Sequence, residues 1–251
     1  MIPKLIHYCW FGRGKMPVLA KKCMGSWKIH LPDYQIKLWN EDNFDISSNS
    51  YVLEAYQARK FAFVTDYVRL FALYNEGGIY MDTDVEVVKN LDRFLDLPAF
   101  SGFEGEKYVP TGIMASEKNG PWVKEQLHYY TNRHFILSDR TLDTTTNVHI
   151  ISDNMRNGGF IFDNSIQNYK GIITLFPSDY FCPKSYETGR INITQNTYCI
   201  HHFAESWIPK SKIIKKRIIN ILGIRNSIMI KKLIKIKKSI TNGLTGKFLI
   251  N

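Results

Sequence analysis

The stretch Gly77-Gly78-Ile79-Tyr80-Met81-Asp82-Thr83-Asp84 joins a helix-stopping glycine pair to an apolar strand that delivers two carboxylates at its end. Residues i and i+2 of a strand share a face, so the spacing predicts that Asp82 and Asp84 project together. Two carboxylates so close repel each other. A cation between them, a raised pKa in one, or open water must relieve that repulsion. Hard oxygen ligands on a short, open spacing suit Mg²⁺ or Mn²⁺, which keep some waters and bind through one or two carboxylates plus substrate phosphates. A bare Asp-x-Asp also reads as a solvated acidic turn, so the surrounding residues carry the decision.

Immediately upstream, Tyr51 to Tyr74 has a helical pattern with a break, and Gly77-Gly78 stops it. Within it Asp66 and Arg69 stand at i, i+3 among Phe61, Phe63, Val64, Val68, Leu70 and Phe71. They share a face in apolar surroundings, where charges need partners. Either they form a local salt bridge, or the helix lies beside the Asp-x-Asp strand and aims both groups at a polar ligand.

Further towards the N-terminus, Ile2 to Trp10 reads as a strand ending in the loop Phe11-Gly12-Arg13-Gly14. Ala20 to Ile29 reads as a helix and Tyr34 to Trp39 as a second strand before the turn-like Asn40-Glu41-Asp42-Asn43. This strand, helix, strand order predicts an α/β domain, whose ligands sit at strand ends. Downstream, short strands are expected at Phe100 to Phe103, Gly112 to Ala115 and Ile172 to Phe176. Helices are expected at Pro121 to Arg133 and Val148 to Arg156. The loop Asp143-Thr144-Thr145-Thr146-Asn147 offers hydroxyls to a sugar, although such loops more often serve as turns and caps. Thr197 to Phe203 alternates into His201-His202, with Ser206-Trp207 beyond. On a strand the two histidines point to opposite faces, so at most one joins Asp84 at a cation. Trp10 and Trp207 read either as core residues or as strand-end platforms for a base or sugar.

With 251 residues, 44% of them hydrophobic, the chain can bury a full core as one large domain or one domain with an appendage. Cys9, Cys23, Cys182 and Cys199 form no CxxC pair and no zinc-like spacing. They are expected to be structural thiols in a reducing, cytoplasmic compartment. No apolar run is long enough for a transmembrane helix. The net charge of +10 is unevenly spread: residues 209–251 carry 12 Lys+Arg and no acid, leaving 21 basic against 23 acidic residues in the body. Ile214, Ile218, Leu222, Ile228, Leu233, Ile236 and Ile240 recur in this tail at roughly helical spacing between cations. That predicts an amphipathic segment on an anionic membrane surface, and the near-neutral body argues against nucleic-acid binding.

The ordered series Ile2-Pro3-Lys4-x-Ile6-His7-x-x-Trp10, Asp66-x-x-Arg69, Gly77-Gly78-Ile79-Tyr80-x-Asp82-x-Asp84 and His201-His202-x-x-x-Ser206-Trp207 resembles glycosyltransferase family 32. This DXD-containing group includes capsular polysaccharide enzymes and fungal Golgi mannosyltransferases. The similarity spans about residues 1–208 and leaves the tail outside. It implies a GT-A-like nucleotide-sugar-binding single domain with a mixed central sheet over 1–208, followed by the basic amphipathic helical tail 209–251. It also implies a metal-dependent (Mn²⁺ or Mg²⁺), retaining transfer of a hexose from a nucleotide-sugar, with UDP favoured as carrier and GDP left open. The acceptor would be a glycan or lipid-linked oligosaccharide in surface polysaccharide synthesis, on the inner face of the cytoplasmic membrane. By the same resemblance Asp84 binds the metal directly, Asp82 reaches the ribose and the metal shell, and His202, or His201, completes the metal site. Asp66 and Arg69 hold sugar hydroxyls and diphosphate, Trp10 stacks on the base, Tyr80 helps seat the donor and Trp207 closes over the diphosphate. Catalysis would then rest on Asp82, Asp84, Arg69 and Asp66.

Two rival readings stand beside it. In a haloacid-dehalogenase-type phosphatase Asp82 is nucleophile and Asp84 acid/base, but the chain lacks the further acidic motif this chemistry needs. A non-enzymatic binding protein recruited by its basic tail is the other.

Overall fold

The computed structural model describes residues 1–204; Trp207, the boundary at 208 and the basic tail lie outside the described residues. Nine strands are formed by Leu5–Cys9 (β1), Gln35–Trp39 (β2), Gly78–Met81 (β3), Val85–Val87 (β4), Ala99–Gly102 (β5), Ile113–Ser116 (β6), Gln167–Tyr169 (β7), Ile173–Phe176 (β8) and Cys199–His201 (β9). The α-helices are Val18–His30 (α1), Ser50–Gln57 (α2), Phe61–Glu76 (α3), Pro121–His128 (α4), Asn147–Asn157 (α5) and Ser178–Phe181 (α6). Seven strands make one sheet in the order β2-β1-β3-β6-β5-β8-β7, while β4 and β9 pair as a separate ribbon. β1 runs parallel to both β2 and β3, β6 is antiparallel to β3 and β5, and β8 is parallel to β5. The sheet is therefore mixed, as expected.

Both faces of this sheet are covered, which is why its strands read as continuous apolar runs rather than alternating ones. In β3, Ile79 and Met81 pack with Trp27, Phe94, Phe100 and Phe181 on one side. Tyr80 faces the opposite layer, with Val64, Val68 and Leu73 of α3 and Trp122 of α4. The expected helix over 51–74 is two helices. The break falls at Ala58 to Lys60, where Arg59 takes a left-handed φ of 56°. The helix expected at 121–133 stops at His128.

The turn from α3 into β3 is held with unusual redundancy. Gly77 ends α3 at φ 70°, a region that favours glycine. Its carbonyl accepts a bond from Nε2 of the fully buried His7 at 2.7 Å, while His7 Nδ1 accepts the Trp39 indole N–H at 3.0 Å. The histidine of the Ile6-His7-x-x-Trp10 motif is thus a neutral tie between β1, β2 and the glycine turn, and burial lowers its pKa. It fixes where β3 starts and so where its last residues end.

The chain leaves β1, forms β2 on one side, then crosses back to place β3 on the other. The carboxyl ends of β1 and β3 therefore flank a topological switch point, the usual ligand crevice of open α/β sheets. Cys9-Trp10 lies at one lip and Asp82 at the other.

Candidate active site

β3 ends at Met81, and Asp82 to Val85 form a tight turn closed by the Val85 N–H on the Asp82 carbonyl at 2.9 Å. The two carboxylates are thus brought together by a turn into β4 and not by strand alternation. Helix α1 anchors that turn from behind. The buried Trp27 donates its indole N–H to the Val85 carbonyl at 2.7 Å, and Ser26 Oγ accepts the Val87 N–H at 2.9 Å.

β9 lies antiparallel to β4 in a register that sets Val85 opposite His201. The His201 Nε2 atom approaches Asp84 Oδ1 to 3.4 Å and Asp82 Oδ2 to 3.9 Å. One ligand atom from each of Asp82, Asp84 and His201 lies within 4.8 Å of the others. His202 turns the other way and bonds Glu86 Oε2 at 2.8 Å, a carboxylate also paired with Lys22. The preference for His202 beside the carboxylates is therefore corrected: the ribbon's register brings His201 there.

Each carboxylate commits one oxygen to the protein and leaves the other facing His201. Asp82 Oδ1 accepts the Tyr80 hydroxyl at 2.7 Å and lies 3.5 Å from Arg69 Nη1. Asp84 Oδ2 accepts the Ala204 N–H at 2.6 Å, and the Asp84 carbonyl takes the His202 N–H at 3.0 Å. Burial works against charge at both Asp84 and His201. Even so, each holds the other ionised: the imidazole is raised well above its ordinary pKa and the carboxyl is pulled far below its own. Two oxygens and one imidazole nitrogen can hold a divalent cation.

Arg69, 5% exposed, organises the inner wall. Its guanidinium reaches Asp66 Oδ1 at 3.1 Å, the Thr111 carbonyl at 2.5 Å and the Thr65 carbonyl at 3.3 Å, and lies 4.6 Å from the Tyr80 ring centre. The i, i+3 pair is therefore a salt bridge and part of the site at once. Burial pushes the Asp66 carboxyl up to about 6, with Arg69 pulling it back. Tyr80, 1% exposed, is turned inward and acts through Asp82 and Arg69. Trp10 follows β1 with its indole N–H bound to the Gly14 carbonyl at 2.7 Å, so its ring faces are what it has left to offer.

Sequence reading passed over three participants. Asn147, at the start of α5, donates from its side chain to the Asp66 carbonyl at 2.7 Å and from its backbone to Asp66 Oδ2 at 3.3 Å. Its own side-chain oxygen accepts the Tyr130 hydroxyl at 2.7 Å. The polar loop that ends at Asn147 thus reaches Asp66 through that residue's amide. Thr111 and Gly112, just before β6, supply carbonyls to Arg69 and to the Asp82 N–H, the latter at 2.8 Å.

The chain that carries this mixed α/β sheet, with an Arg-buttressed Asp-x-Asp at its switch point, is similar in sequence to known sugar transferases. Residues 17–101 match the family described as the glycosyltransferase sugar-binding region containing DXD motif, a span holding Asp66, Arg69, Asp82 and Asp84. Over that stretch the chain is similar to these DXD-containing glycosyltransferases. It is 30% identical over 146 residues to inositol phosphoceramide mannosyltransferase 3 of Schizosaccharomyces pombe, a match covering 53% of this chain and 40% of that one. It is 28% identical over 233 residues to the uncharacterized glycosyltransferase L373 of Acanthamoeba polyphaga mimivirus, covering 86% and 87% of the two chains. Mannosyl phosphorylinositol ceramide synthase CSH1 of Saccharomyces cerevisiae is 28% identical, with 53% and 37% covered. The chain therefore spans well under half the length of these fungal relatives. Among solved structures, the galactosyltransferase LgtC with donor and acceptor sugar analogues gives a TM-score of 0.44 at 15% identity, covering 80% and 88%. The apo glycosyltransferase GlyE of Streptococcus pneumoniae gives 0.48 at 11%, covering 81% and 55%. These similarities favour the transferase reading over the phosphatase and the non-enzymatic ones.

Proposed function

We propose that the chain is a family 32 enzyme that moves a hexose, with retention, from a nucleoside-diphosphate sugar to a glycan or lipid-linked acceptor, using a divalent cation. The convergence of Asp82, Asp84 and His201 beside Arg69 carries this reading. Asp84 Oδ1, Asp82 Oδ2 and His201 Nε2 would hold the cation. The imidazole favours Mn²⁺ over Mg²⁺, which prefers an all-oxygen shell. When bound, such a cation neutralises charge on the departing nucleoside diphosphate.

The protein's own groups prepare that departure. Arg69 adds fixed positive charge behind Asp82 while holding Asp66, whose carboxylate is poised for sugar hydroxyls. All three site carboxylates are already committed: Asp66 to Arg69 and Asn147, Asp82 through Oδ1 to Tyr80 and Arg69, and Asp84 through Oδ2 to Ala204, with the remaining oxygens of Asp82 and Asp84 assigned to the cation. This supports same-face attack, in which the acceptor oxygen bonds to the anomeric carbon as the bond to phosphate breaks. The hydroxyl proton then goes to the leaving phosphate.

UDP is the expected carrier. The fungal relatives' names add mannose and a lipid acceptor to the list of candidates. The test is donor hydrolysis over UDP- and GDP-sugars, GDP-mannose included, with and without Mn²⁺. Release of one nucleoside diphosphate that depends on Mn²⁺ and falls at least about a hundredfold in Asp84→Ala is expected; equal release without cation overturns the reading. Among the described residues no helix is long and apolar enough to cross a membrane. The acid-free charge of residues 209–251 supports peripheral attachment to anionic lipid at the cytoplasmic face. A chain cut after residue 208 should keep donor hydrolysis but lose sedimentation with phosphatidylserine vesicles, and unchanged sedimentation would refute the attachment.

A further inference from the structure

The arrangement of Gly112 singles it out. It stands directly before β6, and its carbonyl accepts the Asp82 N–H at 2.8 Å. A Cβ built on it would meet three atoms of one side chain: His201 Cε1 and Nδ1 at 2.7 Å and Nε2 at 3.0 Å. Its φ lies outside the left-handed region, so nothing in the backbone forbids a side chain here. The three nearest atoms all belong to the imidazole. The same ring meets the Phe203 ring, with centroids 4.2 Å apart. Phe203 adopts φ 51°, uncommon for a bulky residue, in the turn that delivers the Ala204 N–H to Asp84 Oδ2.

We propose that Gly112 is the positioning residue of the cation site: its bare α-carbon and the Phe203 ring form the slot that seats the His201 imidazole. The same residue holds the Asp82 backbone through its carbonyl. Gly112 thus sets the distance between the carboxylate arm, which arrives from β3, and the histidine arm, which arrives from β9. A methyl at 112 displaces the end of a side chain rather than backbone, so the imidazole swings out while the sheet stays. Outer partners that orient a metal-ligating histidine typically matter about 10- to 100-fold in metal affinity. This rests on the proposed cation site, but the slot itself is a statement about packing.

The experiment is a cycle of Gly112→Ala and His201→Ala on the full chain, read by Mn²⁺ calorimetry and by melting without added cation. Gly112→Ala is expected to weaken Mn²⁺ binding about 10- to 100-fold and to cause no further loss in the His201→Ala background. The double variant is expected to melt above Gly112→Ala alone, because deleting the imidazole makes room for the methyl. That comparison holds even if Gly112→Ala folds poorly. Wild-type Mn²⁺ affinity in Gly112→Ala, an equal loss in both backgrounds, or no recovery of melting in the double variant would each overturn the proposal. Asp84→Ala serves as the control for the cation reading. If neither it nor the parent chain differs in Mn²⁺ binding, the cation site fails while the melting comparison still decides the slot.

Discussion

Asp66 combines opposing demands in one side chain. It is buried beside Arg69 with a carboxyl pushed up to about 6, whereas an Asp in the unfolded chain titrates near about 3.9. Between those values the folded state holds the proton more often, so this group makes stability fall as pH rises through the window, with no further change above it. Asp66→Asn removes that slope. Its advantage over the parent in urea unfolding is expected to grow from pH 4 to pH 7 to on the order of 2 kcal/mol, with donor turnover lost. A pH-independent difference would show that Arg69 fully offsets the burial. Such a gain in stability with loss of function is the usual mark of a charge kept for chemistry. At this scale the sequence was readable where residue types carry the signal: an Asp-x-x-Arg in apolar company and an Asp-x-Asp after an apolar run. Gly112 was not readable, because a glycine's contribution here is the absence of atoms, and only the approach of a distant imidazole gives that absence meaning. Which of His201 and His202 lies beside the carboxylates was likewise closed to sequence, since the register of β9 on β4 sets it.

Among the elements, α3 and β3 were legible because a glycine pair separates a helical pattern from an apolar run. The three-residue strands β4 and β7 and the four-residue helix α6 were not, since periodicity needs more residues to declare itself. The Asp82–Val85 turn hid inside the strand reading for the same reason. The glycine pair also makes the sharpest prediction at this level. Gly78 adopts φ 111°, and a Cβ there would press into the Leu5 carbonyl oxygen of β1. Gly78→Ala should therefore push β1 and β3 apart at their first paired residues. The cost should be about 2–4 kcal/mol, a fall of roughly 5–15 °C in melting temperature by calorimetry. A variant melting with the parent would mean that the β1–β3 pairing tolerates a shift the described geometry does not allow.

For the molecule as a whole, the α/β class and the placement of ligand groups at strand ends followed from the order of elements, and the mixed sheet from the resemblance. What lies beyond residue 204 was argued from charge, apolar spacing and resemblance. One feature of the fold bears on time rather than shape. The β4–β9 ribbon ties Asp84 to Ala204, 120 residues apart in sequence, whereas Asp66, Arg69 and the carboxylate turn are near neighbours along the chain. Long closures form late and local contacts early, so the histidine half of the site is expected to be assembled last and to come loose first. A cation bound there would act as a clip on the longest loop of the domain, its binding energy counting towards folding. Because the clip is absent from the transition state, Mn²⁺ should slow unfolding in stopped-flow measurements while leaving the refolding rate nearly unchanged. A refolding rate that rises with Mn²⁺ would mean instead that the two distant arms meet early, and that the cation guides the chain to its fold rather than locking it afterwards.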